Sequence, residues 1–254
     1  MIGARALMVA LEKENVKEVF GLPGGANLPM YDELYKSNIR HILVRHEQDA
    51  AHMADGFGRV SRKPGVCFAT SGPGATNLLT GIATAQADSA PMVAVTGQVP
   101  VAMIGKDAFQ ESDIIGMANP AVKYSYQPRT PEEIPEVVKQ GFYIAETGRP
   151  GPVLLDIPKD VQQNDGKFTF PDEVRIPGYH PWTDPDIPSI EKAIELLLSA
   201  EKPIILAGGG VIISSAFAEL QSIAEMLMIP VVTTFKGKGA FPENHPLSLG
   251  PIGM

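Results

Sequence analysis

The sequence has 254 residues, of which 44% are hydrophobic and 20% charged, enough to bury one large core or two smaller ones. Its 25 glycines and 23 prolines indicate many tight turns, but they are too few for a disordered or collagen-like chain. A net charge of −8 argues against binding to nucleic acid or to an anionic membrane, because both need clustered Lys and Arg. A function in small-molecule chemistry is therefore expected.

Cysteine usage and the N-terminal segment predict a cytoplasmic protein. The single cysteine, Cys67, lies in the apolar segment GVCFAT and is expected to be buried and reduced. No apolar run approaches the roughly 18 residues of a membrane span. Glu12 and Glu14 stand where a signal peptide would be cleaved, so we expect an unprocessed chain with no membrane partner.

Apolar residues recur with alternating helical and strand periods along the first part of the chain. The pattern predicts, in chain order, a helix over 4–11, a strand at 19–20, a helix over 30–35, a strand over 39–44, a helix over 48–60, a strand over 66–70, a helix over 75–87, a strand over 92–96, a helix over 135–146 and a strand over 153–157. Apolar strands separated by helices are typical of a parallel sheet covered on both faces. We therefore predict a doubly wound α/β domain over residues 1–165.

A polar segment rich in proline interrupts this alternation, and we interpret residues 166–188 as a linker. The alternation then resumes with predicted helices over 190–199 and 216–227 and strands over 203–207 and 230–234. Two strands are too few for an independent sheet. We therefore expect residues 189–254 to begin a second, Rossmann-like α/β domain, and the chain to be the N-terminal part of a longer protein.

Ligands gather at the carboxyl ends of parallel strands, so the loops after the predicted strands are the candidate sites. In FGLPGGAN, Gly24 and its neighbouring glycines allow either close approach of the backbone to a ligand or simply a tight turn. In RHEQDAAHMADG, Glu47 follows a strand and begins a helix. This carboxylate either stabilises the start of the helix or serves a ligand that needs an acid.

Two further loops carry glycine clusters. TSGPGATN, residues 70–77, lacks the Lys of a P-loop, which excludes a P-loop nucleotidase. Its Gly-Pro-Gly turn suits a flat heteroaromatic ring, or is purely structural. AGGGV, with Gly208–Gly210, can present backbone N–H groups to a pyrophosphate. Ile213 replaces the last glycine of the dinucleotide fingerprint, so the fingerprint for a nicotinamide cofactor is incomplete. Another adenine dinucleotide is an alternative ligand.

Six segments in chain order are more specific than any single loop: GLPGGAN, RHEQDAAHMADGFGR, TSGPGATNLLTGIATAQADSAPMVAVTGQV, IGKDAFQESD, GRPGPVLLDIPKDV and KGKGAFPENHPLSLG. Together they resemble the large catalytic subunits of the acetolactate synthase family, which are thiamine-diphosphate enzymes. That family has a pyrimidine-binding domain, an FAD-binding middle domain and a third domain that binds the diphosphate through Mg²⁺. The resemblance implies a complete first domain, the beginning of the middle domain, and a Mg²⁺ site on a domain absent from this chain.

The resemblance also assigns roles to individual residues around the pyrimidine ring. Glu47 matches the activating glutamate that hydrogen-bonds N1′ of the aminopyrimidine, Pro73 and Asn77 match pyrimidine contacts, and Gly24 matches the turn beside the ring. A carboxyl group shielded from water can exchange a proton with N1′, which prepares the cofactor for reaction. The implied reaction decarboxylates pyruvate and condenses it with a second 2-oxo acid, giving acetolactate or acetohydroxybutyrate in branched-chain amino acid biosynthesis.

Phe109, Gln110 and Lys159 match residues around the family's substrate channel. Gln110 and Lys159 thereby join Glu47 as catalytic candidates, and Gln110 is also a cofactor contact. Without the resemblance, Lys159 and the loop with the sequence FQE (residues 109–111, the FQE loop) would be interpreted as ordinary surface. Arg149, Gly208, Gly209 and Gly210 match contacts to FAD, a flavin with no redox role in this family.

The implied partners are 2-oxo acids and further copies of the chain. The family forms homodimers or homotetramers with the active site between subunits, and allows a small regulatory subunit. Alternatives with the same layout are a pyruvate oxidase, a sulfoacetaldehyde acetyltransferase or a 2-oxo acid decarboxylase, against which the segments DAFQE and GRPGP to PKDV favour acetolactate synthase. A noncatalytic truncated module is a further alternative, and the glycine loops taken alone also allow a nicotinamide dehydrogenase.

Overall fold

The structure, a computed structural model, describes residues 1–181 and 184–253. These residues form two compact units, whose boundary falls at residues 182 and 183. The boundary lies inside segment 166–188, which the sequence suggests is a linker.

The first unit is an α/β domain built on one six-stranded sheet with strand order β2-β1-β3-β4-β6-β5, and all the neighbouring strands are parallel. Its elements in chain order are α1 (Gly3–Lys13), β1 (Glu18–Gly21), α2 (Leu28–Tyr35), β2 (Arg40–Leu43), α3 (Glu47–Ser61), β3 (Gly65–Ala69), α4 (Pro73–Asn77), α5 (Leu79–Asp88), β4 (Met92–Gln98), α6 (Ile114–Ala118), β5 (Tyr124–Tyr126), α7 (Ile134–Glu146), β6 (Pro152–Pro158) and α8 (Lys159–Gln163). The predicted doubly wound α/β fold is confirmed.

Both faces of strands β3, β4 and β6 are buried, as the uniformly apolar strands predicted, whereas the edge strand β2 is partly exposed. Along β4, Val93 and Val95 belong to one hydrophobic cluster, whereas Met92 and Ala94 belong to the other. This alternation follows from the two-residue period of a strand. Cys67 lies in the second cluster as a fully buried free thiol, as expected, and burial raises its pKa to about 12.

Small residues let α3 and α5 pack closely on the second face of the sheet. A Cβ added to Gly81 of α5 would lie 2.4 Å from the Cβ of Ala51 in α3. Arg59 of α3 also donates to Asp88 of α5 at 2.7 Å. Because α3 begins with Glu47, this packing fixes the position of the candidate acid.

The structure differs from the sequence prediction in several short elements. The helix expected over 75–87 is two helices that meet at Leu78, whose N–H bonds to the carbonyl of Ala75 in a tighter turn. The short elements β5, α6 and α8 were not predicted. Strand β5 has only three residues, too few for a periodic pattern.

The second unit contains α9 (Ile187–Ser199), β7 (Ile205–Ala207), α10 (Gly209–Ser214), α11 (Phe217–Leu227), β8 (Val231–Thr233) and β9 (Ser248–Pro251). Its parallel sheet has the order β7-β8-β9. The expectation of only two strands was wrong. Strand β9, with the sequence SLGP, contains a Gly and a Pro that disfavour strands, and its pairing with β8 shifts register.

The hydrophobic core of the second unit is small and includes Ala224, Val231 and Phe241. Helix α9 has no buried residue, and Leu196 and Leu198 are more than half exposed. Across residues 1–181 and 184–253, the structure has no helix with both the length and the apolar character needed to cross a membrane.

Candidate active site

Glu47 is the first residue of α3, at the carboxyl end of the sheet after β2. The cap of this helix is His46, whose Nδ1 accepts a hydrogen bond from the backbone N–H of Gln48 at 3.1 Å. Glu47 is only 7% exposed and lies in the first helical turn, where the helix dipole favours a carboxylate. Since His46 performs the capping, the carboxylate of Glu47 remains available for another role.

Asn77 is the hydrogen-bond partner of this carboxylate. Its Nδ2 donates to Oε2 of Glu47 at 2.9 Å. Within the described ranges, 1–181 and 184–253, Oε1 of Glu47 has no hydrogen-bond partner. The two residues that the sequence associates with a pyrimidine ring therefore lie together, with one carboxylate oxygen left for a ligand.

The Gly-Pro-Gly turn determines this arrangement. Gly72 has φ +59° and ψ −120°, a conformation that side chains with a Cβ rarely adopt. Pro73 is the first residue of α4, where its missing N–H removes no helical hydrogen bond. A Cβ added to Gly74 would lie 3.0 Å from Oε1 of Glu47 and 2.7 Å from Cγ2 of Thr70, so glycine keeps the space beside the carboxylate open.

The first glycine loop packs against the same turn. The hydroxyl oxygen of Thr70 accepts a hydrogen bond from the backbone N–H of Ala26 at 3.1 Å. A Cβ added to Gly24 would lie 2.6 Å from the Cβ of Thr70, which shows how closely this loop approaches the turn. Gly24 N–H is in turn bonded to the side-chain oxygen of Asn27 at 2.7 Å. The loops that follow β1, β2 and β3 thus meet around Glu47, as expected at the carboxyl ends of parallel strands.

The FQE loop reaches this turn through its backbone. Gln110 has φ +59°, and a Cβ added to Gly72 would lie 2.6 Å from the carbonyl oxygen of Gln110. Phe109 is 87% exposed. The family resemblance assigned both residues to the substrate channel and Gln110 also to the cofactor. The structure brings the backbone of Gln110 against the Gly-Pro-Gly turn, while the side chain of Phe109 faces solvent.

Sequence reasoning missed a buried acid, Asp156, on β6. Its carboxylate accepts hydrogen bonds from the Thr96 hydroxyl at 2.7 Å, the Gln98 amide at 3.0 Å and the Gln127 amide at 2.7 Å. Burial raises the pKa of Asp156 to about 6, although these hydrogen bonds favour the charged form. Gln98 also donates to the carbonyl of Ser112 at 2.9 Å, which links the acid to the end of the FQE loop.

Another missed group is the hydroxyl of Tyr31, which is buried and has no hydrogen-bond partner among residues 1–181 and 184–253. A Cβ added to Gly21 would lie 2.4 Å from it. Burial raises the pKa of this phenol, and the nearby Cys67 and Glu47 raise it further. The spacing of Tyr31 in α2 is ordinary for a helix, so the sequence carried no signal for it.

Comparison with known proteins identifies the family. Residues 1–117 match the thiamine pyrophosphate enzyme N-terminal TPP binding domain, and residues 190–254 match the thiamine pyrophosphate enzyme central domain. The chain belongs to the thiamine pyrophosphate enzymes. The family resemblance inferred from the motifs is thereby confirmed.

Individual relatives of the chain carry more specific names. The chain is 58% identical to a "probable acetolactate synthase large subunit" of Methanocaldococcus jannaschii, with 100% of the chain and 44% of the relative covered. It is 52% identical to an "acetolactate synthase" of Arthrospira platensis (99% and 45% covered) and 51% identical to an "acetolactate synthase large subunit" of Corynebacterium glutamicum (100% and 41% covered). The chain thus spans less than half the length of these relatives.

The remaining candidates in the first unit are Lys159 and Arg149, for which the structure gives no contact with Glu47 within residues 1–181 and 184–253. Lys159 is the first residue of α8, directly after β6, and its ammonium group makes no hydrogen bond or ion pair within the described part of the chain. Arg149 precedes β6 and donates to the Ser89 hydroxyl at 2.6 Å and the Ala87 carbonyl at 3.2 Å. These partners precede β4, so Arg149 lies at the amino ends of the strands, whereas Glu47 lies at their carboxyl ends.

In the second unit, Gly208, Gly209 and Gly210 form the junction between β7 and α10, as the sequence predicted for a strand-to-helix turn. Cβ atoms added to Gly208 and Gly210 would meet nothing closer than 3.9 Å, so the backbone there is open to a ligand. Within residues 1–181 and 184–253, no group of three or more His, Cys, Asp or Glu side chains is arranged to hold a metal ion.

Proposed function

We propose that this chain is the N-terminal part of an acetolactate synthase large subunit and forms the pyrimidine-binding half of its thiamine-diphosphate site. The observation that carries the proposal is the buried Glu47 carboxylate, which Asn77 holds by one oxygen while the other lacks a partner in residues 1–181 and 184–253. The names of the similar proteins support the choice of reaction.

The residues of this site fit an aminopyrimidine. Glu47 would hold a proton at N1′ of the ring. Asn77 would fix the orientation of the carboxylate through its 2.9 Å hydrogen bond. A side chain at Gly24 or Gly72 would meet atoms of the neighbouring loops, so glycine at these positions lets the loops close around Glu47. A side chain at Gly74 would instead meet Oε1 of Glu47, so glycine there leaves the carboxylate free for a flat ring. Thiamine diphosphate, when bound, supplies a ring that accepts the electrons released as a 2-oxo acid loses CO₂.

The same proposal covers the rest of the site. Gln110, with Phe109, would contact cofactor and substrate beside the Gly-Pro-Gly turn, and Lys159 would contact the 2-oxo acid. Arg149, and separately Gly208–Gly210, would contact FAD, while Mg²⁺ would bind a domain outside this chain. We further propose residues 1–165 as the pyrimidine-binding domain, 166–188 as a linker and 189–254 as the start of the middle domain.

The assembly is proposed on the same basis. The protein would act in the cytoplasm as a homodimer or homotetramer with the active site between subunits, with a small regulatory subunit as a further partner. Its substrates would be pyruvate and a second 2-oxo acid.

The test uses a longer protein, in which this chain is completed to the length of its relatives, supplied with thiamine diphosphate, Mg²⁺, FAD and pyruvate. We expect acetolactate as product, and Glu47→Gln should lower turnover by about 10²- to 10⁴-fold, the usual effect of losing a positioned proton-transfer group. Asp49→Asn is the matched control, because it removes a carboxylate from the same first turn of α3. Acetate or acetaldehyde without acetolactate would indicate another thiamine-diphosphate enzyme, and near-normal turnover in Glu47→Gln would reject the role of Glu47.

A further inference from the structure

The carboxylate of Glu111 accepts hydrogen bonds from the backbone of its own loop, Gly105–Glu111. One oxygen accepts a hydrogen bond from the N–H of Gly105, and the other accepts from the N–H groups of Lys106 at 3.3 Å and Ala108 at 3.0 Å. The N–H of Glu111 also donates to the carbonyl of Ala108 at 2.9 Å. These bonds from Gly105 and Ala108 hold the pKa of the carboxyl below its usual range.

This loop contains an unusual amount of left-handed backbone. Gly105 has φ +77°, Asp107 has φ +53° and Gln110 has φ +59°. For residues other than glycine such angles are uncommon and persist where surrounding contacts impose them. The carboxylate of Glu111 accepts hydrogen bonds from three backbone N–H groups of this loop. These bonds to a charged acceptor stabilise the left-handed conformation of the loop.

Two contacts tie the same loop to the candidate site. The carbonyl of Gln110 lies so close to Gly72 that an added Cβ there would be 2.6 Å away. At the end of the loop, the carbonyl of Ser112 accepts the amide of Gln98 at 2.9 Å, and Gln98 in turn donates to the buried Asp156. The loop is thus held internally by Glu111 and externally by the Gly-Pro-Gly turn and β4.

We infer that Glu111 is a positioning residue: its carboxylate fixes the Gly105–Glu111 loop so that the backbone of Gln110 lies against the Gly-Pro-Gly turn and the side chain of Phe109 is presented to the solvent next to it. The inference rests on the proposed function, which places these two residues at the substrate. Glu111 does not touch the reacting atoms, since its oxygens are occupied by the backbone of the loop. Its loss should therefore affect substrate use more than cofactor affinity.

The first test measures amide hydrogen exchange in the chain. Glu111→Gln replaces one acceptor oxygen by an NH₂ group that faces backbone N–H donors. We expect the amides of Gly105, Lys106 and Ala108 to exchange about tenfold faster, as loss of hydrogen bonds to a charged acceptor implies. Asp107→Asn is the matched control, because it removes a charge from the same loop and Asn tolerates a positive φ. Unchanged exchange in Glu111→Gln would overturn the inference.

The second test uses the longer protein and compares substrate and cofactor constants. Glu111→Gln should raise KM for pyruvate about tenfold, the order expected when a positioning hydrogen bond to a charged group is lost. Its Kd for thiamine diphosphate should change less than about twofold, because Glu47 and Asn77 are untouched. A purely structural role would weaken both alike, and that result would overturn the inference.

The two proposals fail in different ways. Absence of acetolactate from the unsubstituted longer protein would overturn the proposed function. Normal acetolactate formation together with unchanged KM and kcat in Glu111→Gln would leave the proposed function standing and overturn only the role of Glu111.

Discussion

The side-chain amide of Asn77 donates to the carboxylate of Glu47 at 2.9 Å, although 30 residues separate them in the chain. One residue begins α3 and the other ends α4, so the bond joins the loops that follow β2 and β3. It restrains an acid that is 7% exposed without occupying both of its oxygens. The orientation of Glu47 therefore depends on the Gly-Pro-Gly turn that positions Asn77.

Replacing Asn77 tests this dependence. In the longer protein, Asn77→Ala should lower turnover about 10- to 10²-fold, since a hydrogen bond to a charged group contributes about 1.5 to 3 kcal/mol. Thr76→Ala is the control, because the Thr76 hydroxyl donates to the carbonyl of Pro73 in its own helix at 3.1 Å and not to Glu47. We expect steady-state acetolactate formation to separate the two variants; equal rates for both would mean that Asn77 does not orient the acid.

Gly72→Ala tests the backbone of the turn. Alanine at this position would have to adopt φ +59°, which is strained for a residue with a side chain. Its methyl group would also lie 2.6 Å from the carbonyl oxygen of Gln110. We expect the free energy of unfolding of the chain to fall by about 2 kcal/mol or more in urea titrations. Gly56→Ala, at an open position in α3, should instead raise it by about 0.5 to 1 kcal/mol. Equal effects at both glycines would contradict the special role of Gly72.

The buried Asp156 should make stability depend on pH. Its pKa is raised from 3.8 to about 6 in the fold, so the protonated form favours folding. The stabilisation is complete below about pH 3.8 and is lost as the pH rises through about 6. Relative to Asp156→Asn, the free energy of unfolding should therefore fall by about 2 kcal/mol between about pH 4 and about pH 7.

Urea unfolding at several pH values measures this difference. Asp32→Asn, which removes an exposed acid from α2, should keep the pH dependence of the unsubstituted chain. If Asp156→Asn also keeps it, Asp156 is not the titrating group.

Much of the fold and part of the site follow from local sequence patterns. The two-residue and helical periods of apolar residues predicted the α/β alternation, because burial of one face or both faces dictates which positions are apolar. Glu47 and the Gly-Pro-Gly turn were recognisable because each follows an apolar strand, where ligands of parallel sheets bind. These features depend on residues that are close together in the chain.

Only the tertiary structure decided which distant groups meet. The bond from Thr96 to Asp156 spans 60 residues, and nothing near either residue in the sequence predicts it. Local sequence patterns likewise did not predict the close approach of Gln110 to Gly72, or the third strand of the second unit. Hydrogen bonds between strands, and loops that close on one another, depend on how the whole sheet assembles. The sequence by itself determined the order of the longer helices and strands and, through its motifs, the candidate acid, whereas three-dimensional packing added the short elements and decided what holds that acid and its neighbouring loop in place.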